Sequence, residues 1–553
     1  MNIHRVISHV RRNNAAYVFL LLAAAIMGPL LAPGYVLTLD MAWVPTIRLP
    51  EEVTNVYPLY IVLWLLDMIL PSDVIQKVVL LGIFWLAGFG AFRLSRYLLD
   101  RYHEYSTLLP SLFAGVLFVA NPYVYARFVD GQWLVLFGYA LLPWLMRSAF
   151  LLAAAPSRRT VLRVVAWMTA ISFTSMQTIF IALIALIVIV FAAVKKDTVR
   201  VALISIASVI GLTLIVNAFW IVPYATGQTR QAEQVTTFDG RHDKTFRTVE
   251  SDVLPPELNV LTLHGYWGER QERFMLIQHA IPAWPILIGV IIIAVGVGFW
   301  RMARVSSRLT VTFGLLLVVG WILSLGTTSG VVGWANELLR FVVPFYGGYR
   351  EPHKIAMLIA LVYAVVGAWG VYWIAQKLRL ARADRATRVL AAILVMGVPL
   401  AYGSLLLGGA MGQLRASDYP RDWYALNEYL RRNTDDGKRI LFLPWRLYVD
   451  VSWAERTVAN PARRFFDVDV IQSDDAGIGL IPNQSTRLET EVVERYVLRG
   501  GNHIAARDKL KQLGVQYVVV ASIADWREYD YIATIPGLKE IRRTGDTVTY
   551  EIK

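Results

Sequence analysis

Cysteine is absent from the 553 residues of this chain. That absence excludes disulfides, thiolate metal sites and cysteine nucleophiles. Charged residues are nearly absent from windows that recur between Ala15 and Ala410, each about 20 residues long, the length of helix that crosses a bilayer core. The hydrophobic content is 56% and the mean hydropathy is +0.48. The sequence therefore predicts a polytopic integral membrane protein.

Eleven apolar segments are predicted to cross the membrane as helices. The first follows a basic start and lacks a convincing cleavage site before Pro33, so it is interpreted as a retained span and not as a signal peptide. The predicted spans are residues 15–32, 76–98, 108–124, 132–152, 160–175, 177–195, 200–222, 283–303, 308–325, 354–377 and 388–410.

The formal net charge of +13 raises the question of a nucleic-acid partner. Residues 412–553 carry 21 basic and 21 acidic side chains, so the whole excess lies in residues 1–411. With the N-terminus in the cytoplasm, the six cytoplasmic segments hold 21 Lys and Arg against four acids, the bias expected of short cytoplasmic loops. The charge distribution therefore predicts how the chain is oriented in the membrane, with residues 412–553 outside the cytoplasm, and it gives no reason to expect nucleic-acid binding.

Residues 412–553 predict a small extracytoplasmic α/β domain. Trp423–Arg432 and Ala505–Leu513 have helical periodicity, whereas Arg439–Leu443 and Val515–Ala521 are typical of strands. Thr547–Ile552 alternates in the manner of an edge strand. This region contains no phosphate loop and no catalytic signature.

Three predicted external segments, residues 33–75, 223–282 and 326–353, are long for connections between helices. Loops of that length usually carry function. Val56–Leu70 is too short for a span and is expected to lie along the interface. Val331–Phe345 is semi-apolar and is a candidate re-entrant segment.

The first external segment contains an isolated acid, Asp40, in an apolar stretch. A carboxylate near the interface is costly unless it has a partner, and its pKa rises on desolvation. The residues alone leave two interpretations open: a functional carboxylate, or a helix cap or salt bridge within the loop.

A second acid, Asp130, follows an aromatic segment at Asn121–Trp133. Tyr and Trp concentrate at membrane interfaces, which explains the aromatic residues but does not explain Asp130. The acid is therefore a second carboxylate candidate, and Arg127 lies one helical turn before it.

The tenth predicted span begins with a run of cations. Pro352 suits the first turn of a helix. The unpaired backbone N–H groups there, together with Arg350, His353 and Lys354, predict a phosphate site. Interaction with lipid headgroups is the alternative explanation.

Several further polar residues are weaker candidates. Gln177 lies in a predicted outer turn, where a structural hydrogen bond is the alternative to substrate contact. In the segment 223–282, seven charged or His side chains could reach a substrate but are each expected at the surface: Arg241, His242, Asp243, Lys244, His264, Glu269 and Arg270.

Short motifs occur in a particular order along the chain: Pro33–Asp40, Asn121–Trp133, Arg350–Lys354, Tyr419–Trp423, Leu443–Trp445 and Leu513–Val520. This order resembles the GT-C superfamily of membrane glycosyltransferases, and most of all its branch of bacterial arabinofuranosyltransferase-like and cell-wall glycosylation proteins. The resemblance implies an all-α membrane domain, residues 1–411, followed by the α/β domain, residues 412–553. It also implies a prokaryotic plasma membrane as the location, and transfer of a sugar from a polyprenyl-phosphate donor to an extracytoplasmic glycan or glycoconjugate.

The resemblance also implies roles for individual residues. Asp40 corresponds to the general base, and Asp130 to a second acid at which some relatives bind a divalent cation. Because Asp130 is a single acid, Mg or Mn is left as an open option and no cofactor is certain. Arg350, His353 and Lys354 would hold the donor phosphate. The remaining candidate substrate contacts are Arg127, Gln177, Glu351 and His264.

A non-catalytic transporter or assembly factor for lipid-linked glycans is the main alternative, and a receptor or a membrane anchor for the C-terminal domain is a third. A transporter is expected to place charged residues in the middle of broken spans. Here the charges cluster at the ends of the spans, which favours chemistry at the membrane surface.

Overall fold

A computed structural model describes residues 3–193, 199–236, 240–327, 333–342, 346–378, 380–474, 485, 487–499 and 501–553. The chain divides into two compact units. The membrane unit comprises Met1–Gly28, Pro50–Val62 and Val78–Gln413. The C-terminal unit comprises Pro29–Leu49, Leu63–Lys77 and Leu414–Lys553.

Eight described helices are long and apolar enough to cross a membrane by length and composition. They are Ser72–Asp100, Leu108–Val129, Trp133–Ala154, Val199–Val216, Trp284–Val305, Ser307–Leu325, Pro352–Lys377 and Arg385–Tyr402. Each overlaps one of the predicted spans. The protein is therefore a multi-pass membrane protein.

The other three predicted spans coincide with helices Ile3–Met27, Arg158–Ser172 and Met176–Ala193. In the first and third, the apolar parts are Ala15–Leu31 and Met176–Ala192, both shorter than the eight long helices. Helix Arg158–Ser172 has 15 residues, which at a rise of 1.5 Å per residue is about 23 Å, less than a bilayer core of about 30 Å. The total of eleven spans stays a prediction.

Short helices form most of the predicted external segments. The apolar stretch at Val56–Leu70 contains helix Tyr57–Asp67. The candidate re-entrant segment Val331–Phe345 lies partly outside the described residues, and its described part is helix Gly333–Val342. The remaining short α-helices of the membrane unit are Ala218–Ala225, Arg230–Thr236, Gly240–Thr245, Pro256–Asn259, Ile277–Ala280 and Leu407–Met411.

Helix Met357–Lys377 lies at the centre of the membrane unit, and its most apolar stretch is fully buried. It packs closely on helix Trp284–Val305 through a pair of glycines. A Cβ added at Gly298 would lie 1.9 Å from the carbonyl oxygen of Val366, and one at Gly370 would lie 1.9 Å from that of Ala294. Only glycine allows the two backbones to approach so closely. This contact fixes the helix that begins directly after Glu351.

The described residues of the C-terminal unit form nine short strands: β1 (Tyr35–Val36), β2 (Ala416–Ser417), β3 (Arg439–Leu443), β4 (Tyr448–Val451), β5 (Arg456–Ala459), β6 (Asp469–Ile471), β7 (Val515–Ala521), β8 (Leu538–Arg543) and β9 (Thr547–Ile552). Five form one sheet in the order β6-β3-β7-β9-β8. Strand β3 is parallel to β6 and β7, whereas β9 is antiparallel to β7 and β8. The unit also contains helices Arg421–Asn433 and Ala506–Gln512.

The prediction that Thr547–Ile552 is an edge strand is wrong. It forms β9, which lies between β7 and β8, and β8 occupies the edge. Thr547 and Thr549 are fully buried. Alternation of Thr with apolar residues resembles a half-exposed strand in sequence, but here β8 and the rest of the unit cover these threonines.

Candidate functional site

The long helix Leu108–Val129 consists of two parts, Leu108–Val119 and Pro122–Val129, and the second part places Arg127 inside the membrane unit. Helix Pro122–Val129 begins at Asn121, whose side-chain oxygen accepts a hydrogen bond from the backbone N–H of Val124 at 3.1 Å. Asn at this position satisfies a free N–H group, and Pro122 at the first helical position needs no N–H partner. The helix ends at Asp130, so Arg127 lies in its last turn.

The Arg127 side chain is fully buried and has polar partners on both terminal nitrogens. Nη1 donates to Oε1 of Gln132 at 2.6 Å and to Oε2 of Glu351 at 3.0 Å. Nη2 donates to Nδ1 of His353 at 3.0 Å. The guanidinium carbon lies 4.3 Å from the ring centre of Tyr266, a cation–π contact. A buried charge requires partners of this kind, because an isolated one would lose its hydration without compensation.

Glu351 is the anionic partner in this cluster. Its Oε2 accepts from Arg127, lies 3.4 Å from Nζ of Lys354 and accepts from Nε2 of Gln132 at 3.3 Å. Burial on its own would raise the pKa of Glu351, but Lys354, Arg127 and Arg350 lower it to about 2. Glu351 is therefore ionised at neutral pH and holds the cations in place, and it does not act as a proton acceptor.

Both ring nitrogens of His353 are engaged. Because Nδ1 accepts from Arg127, the proton is assigned to Nε2, which donates to the carbonyl oxygen of His264 at 3.0 Å. The ring is 1% exposed. A direct contact with a donor phosphate, the role that the resemblance implies, would require the ring to give up one of these two partners. In this arrangement His353 positions Arg127.

Two residues that the sequence placed at the surface are buried beside this cluster. His264 is 2% exposed, and burial lowers its pKa to about 4. Glu269 is 7% exposed and accepts a hydrogen bond from the backbone N–H of Gly265 at 2.9 Å. Burial raises the pKa of Glu269 to about 7, although backbone hydrogen bonds and Arg127 oppose the increase. A carboxylate that titrates near neutral pH is characteristic of functional sites.

The surface expectation is also wrong for His242, which is 4% exposed. Arg241, Lys244 and Arg270 are exposed as expected. The sequence contains no local signal that separates the buried from the exposed members of this loop.

Asp130 is 1% exposed and lies 3.6 Å from Nε of Arg273. An added Cβ on Gly268 would lie 3.0 Å from Oδ2 of Asp130, so the loop that carries Glu269 passes directly over this carboxylate. Within the described ranges, no three His, Asp or Glu side chains come together as metal ligands. A single carboxylate that faces a guanidinium does not fit a divalent cation such as Mg or Mn.

Arg350 and Gln177 line a separate cavity of about 500 Å³ in the membrane unit. The wall of this cavity is mainly apolar and includes Phe180, Leu183 and Ile210. Polar groups join it from Gln177, Tyr349, Gln231 and Arg350. The guanidinium carbon of Arg350 lies 4.6 Å from the ring centre of Phe246. The cavity is amphipathic, since aliphatic and aromatic side chains surround it and a permanent cation borders it.

The structure places Asp40 in the C-terminal unit. It lies in a turn closed by hydrogen bonds between Thr38 and Met41, and its Oδ1 accepts from the hydroxyl of Tyr448 in β4 at 2.8 Å. Residues 34–39 are buried, but Asp40 itself is exposed. The apolar neighbours of Asp40 in the sequence therefore do not bury its carboxylate.

The structure thus brings Arg127, Glu351, His353, Lys354 and His264 together, with Asp130 beside them under the loop. Three contributors to this region were not singled out from the sequence: Gln132, Tyr266 and Arg273. Glu269 was named there, but it was expected at the surface. The aromatic run Tyr266–Trp267 is the only local signal that could have drawn attention to them.

The fold is similar to that of solved structures of the arabinofuranosyltransferase AftD from Mycobacteria. One of them matches with a TM-score of 0.60 at 15% identity, and covers 97% of this chain and 39% of that one. A mutant form matches with a TM-score of 0.63 at 15% identity, and covers 97% of this chain and 41% of that one. The chain thus spans about two fifths of the length of that enzyme. Comparisons with protein-family models and with curated proteins gave no match.

At this identity the likeness concerns the fold. The chain shares the fold of that arabinofuranosyltransferase, in agreement with the fold that the resemblance in its motifs implied.

Proposed function

We propose that this protein is a GT-C glycosyltransferase that moves a sugar from a polyprenyl-phosphate donor to an extracytoplasmic glycan or glycoconjugate. The observation that carries the proposal is the amphipathic cavity that Arg350 borders. In the same proposal the N-terminus is cytoplasmic, and residues 412–553 lie outside.

The chemistry of the cavity supports a lipid-linked donor. Its apolar wall comes largely from helices Met176–Ala193 and Val199–Val216, whose composition suits a membrane interior. A polyprenyl phosphate combines a long hydrocarbon chain with an anionic headgroup. The hydrocarbon would lie against residues such as Leu183 and Ile210, and the phosphate would meet Arg350, whose planar guanidinium can bind two phosphate oxygens at once.

The neighbouring cluster of charged side chains holds the segment that carries the two proposed phosphate-binding cations. Arg350 and Lys354 flank Glu351, which is held by the buried Arg127. The segment that carries both cations is therefore anchored to helix Pro122–Val129 and to the start of the central helix. Cations held in advance need no rearrangement when charge develops on a leaving group.

The proposed reaction breaks the bond between the anomeric carbon and the phosphate oxygen, and the electron pair leaves with the polyprenyl phosphate. The acceptor hydroxyl oxygen forms the new glycosidic bond and loses its proton to a general base. Arg350 and Lys354 offset the charge on the departing phosphate. Asp40 takes the role of the base that the motif resemblance implies.

A reconstituted transfer assay tests this proposal. Purified full-length protein would receive a synthetic polyprenyl-phosphate sugar and an oligosaccharide acceptor, with product detected by mass spectrometry. The matched control is the uncharged polyprenol of the same chain length in a binding titration. Transfer together with selective binding of the phosphate lipid is the expected result. Selective binding without transfer to any acceptor offered would favour the transporter or assembly factor, and equal binding of both lipids would contradict the donor site.

A further inference from the structure

A second large cavity, of about 1010 Å³, lies at the other end of the central helix. Helix Met357–Lys377 begins just after the cluster around Glu351, and its last residue, Lys377, lines this cavity. Twenty-one residues of α-helix correspond to about 32 Å. The cavity is therefore separate from the candidate site, at the end of the membrane unit that the charge bias predicts to be cytoplasmic.

The lining of this cavity is strongly basic. Its charged residues are Arg301, Arg304, Lys377, Arg382 and Arg388, and no acid lines it. One acid lies close to this group: Nε of Arg388 donates to the backbone carbonyl oxygen of Asp384 at 3.4 Å, and the two side chains attract each other. Nε of Arg301 is buried and has no hydrogen-bond partner among the described residues. Five like charges around one space, with a single acid beside one of them, create a strong attraction for an anion.

The same cavity also has an aromatic and aliphatic side. The rings of Trp300 and Trp373 pack edge to face with their centres 5.2 Å apart. The guanidinium carbon of Arg304 lies 4.0 Å from the ring centre of Trp300, and Nζ of Lys377 lies 5.6 Å from that of Trp373. Leucines at the start of helix Leu108–Val119 complete this side. The arrangement suits an amphiphile with a negatively charged head.

Positively charged residues on the predicted cytoplasmic side are expected from the membrane topology alone. The topology does not explain why five of them line one cavity. Arg158, Arg159 and Arg163, which are predicted to face the same side, are exposed along one helix and line no such cavity. The five cations around the second cavity instead come from three different helix ends and one connecting turn. Topology requires the charge but does not require this convergence.

We propose that this cavity is a binding site for an anionic phospholipid. Its phosphate is held by Arg304, Lys377 and their basic neighbours, and its acyl chains lie against the leucines of helix Leu108–Val119. Basic pockets between membrane helices recognise phosphorylated lipid headgroups in this way. The proposal stands on this cavity alone and does not depend on the transferase activity.

The test measures thermal unfolding of the purified full-length protein in detergent, with added phosphatidylglycerol, cardiolipin or phosphatidylcholine. The anionic lipids are expected to stabilise the protein in a saturable manner, and phosphatidylcholine is not. Arg304 and Lys377 are both exposed, so the double variant Arg304→Gln, Lys377→Gln should fold normally. Each basic residue near an anionic lipid raises the affinity for that lipid about fivefold. Because the variant lacks two such residues, we expect its apparent affinity for the anionic lipid to be roughly 25-fold weaker.

The matched control is the double variant Arg158→Gln, Arg159→Gln, which removes the same charge from the same predicted side but away from the cavity. Unchanged affinity in this control supports a defined site. An equal loss in both variants, or equal stabilisation by phosphatidylcholine, would overturn the proposal. Inorganic pyrophosphate separates the two sources of phosphate: if it saturates the site as well as the lipids do, the ligand is a soluble phosphate and the lipid assignment is wrong.

Discussion

The hydroxyl of Tyr448 donates a hydrogen bond to Oδ1 of Asp40 at 2.8 Å, although the two residues are 408 positions apart in the chain. Two backbone contacts reinforce this pairing. Leu39 forms a parallel bridge with Val458 of β5, and the N–H of Ala459 donates to the carbonyl oxygen of Leu39 at 2.7 Å. The turn that carries Asp40 is therefore supported by the hairpin of β4 and β5 within the C-terminal unit. This gives that unit a role in orienting the proposed base.

Replacing Tyr448 by Phe removes this hydrogen bond and keeps the ring. Loss of a hydrogen bond to a charged group costs about 1.5–3 kcal/mol, so we expect kcat to fall roughly 10- to 100-fold while KM for the donor changes little. Steady-state kinetics in the reconstituted assay measure both parameters. The control is Tyr424→Phe, which removes a hydroxyl from an exposed ring in the same unit. A matching fall in the control would mean that the effect is not specific to Asp40.

Substitution of Asp40 by Asn tests the base itself. The variant keeps the shape of the side chain and a hydrogen-bond acceptor for Tyr448, but it cannot take up the proton of the acceptor hydroxyl. Loss of a general base typically slows a reaction about 10²- to 10⁴-fold, whereas binding of the donor lipid should be unchanged. Transfer rate and lipid affinity are measured on the same preparation. Retention of most of the activity would remove Asp40 from the mechanism.

Arg350 is expected to carry most of the affinity for the donor phosphate. Arg350→Ala should weaken binding of a polyprenyl phosphate by about 1.5–3 kcal/mol, the range for hydrogen bonds to charged groups. Arg350→Lys should recover only part of this, because an ammonium cannot bind two oxygens in the fixed geometry of a guanidinium. Titration with the phosphate lipid and the uncharged polyprenol separates the charge effect from the chain effect. Arg270→Ala, on an exposed side chain of the same unit, is the control, and it should bind as the parent protein does.

Glu269 should make stability depend on pH. Burial raises the pKa of this carboxyl from 4.5 in a free chain to about 7. Between these values the folded protein keeps a proton that the unfolded chain releases, so the free energy of unfolding falls as pH rises from about 4.5 to 7. Glu269→Gln cannot ionise and should reduce the loss of thermal stability between pH 5 and pH 8. Glu272→Gln, an exposed neighbour, should leave that loss as it is in the parent protein, and an unaltered pH profile in Glu269→Gln would contradict the prediction.

Removing Arg127 alone should destabilise the protein more than removing the charges of both Arg127 and Glu351. Removal of one partner from a buried pair typically costs about 3–5 kcal/mol, because the other charge is left uncompensated. Arg127→Met is therefore expected to lower the melting temperature strongly. Arg127→Met combined with Glu351→Gln should recover part of the loss, since the buried charge is removed as well. If the loss of stability in the double variant equals or exceeds the sum of the two single losses, the two residues do not act as a stabilising pair.

Sequence analysis predicted the features that local patterns encode. The eight long helices follow from apolar windows of sufficient length, and strands β3 and β7 from short apolar runs bounded by turns. Arg127 and Glu351 are 224 positions apart. Both could be selected as candidates from one sequence, but their contact could not be predicted from it. The burial of Glu269 depends on how its loop folds back over Asp130, which no local periodicity records. The position of Asp40 in the C-terminal unit likewise depends on long-range backbone pairing.

The glycine contact between the two central helices has a mechanical consequence. Gly298 and Gly370 let each backbone touch a carbonyl of the other helix, so a shift of one residue along the axis would bring a side chain into that space. The close contact therefore opposes translation of helix Met357–Lys377 along its axis relative to helix Trp284–Val305. Both ends of this helix, the first turn near Glu351 and the last residue, Lys377, therefore keep their positions relative to helix Trp284–Val305. A lipid bound at Lys377 could thus alter the stability of the membrane unit, but it could not push on the residues at the other end of this helix.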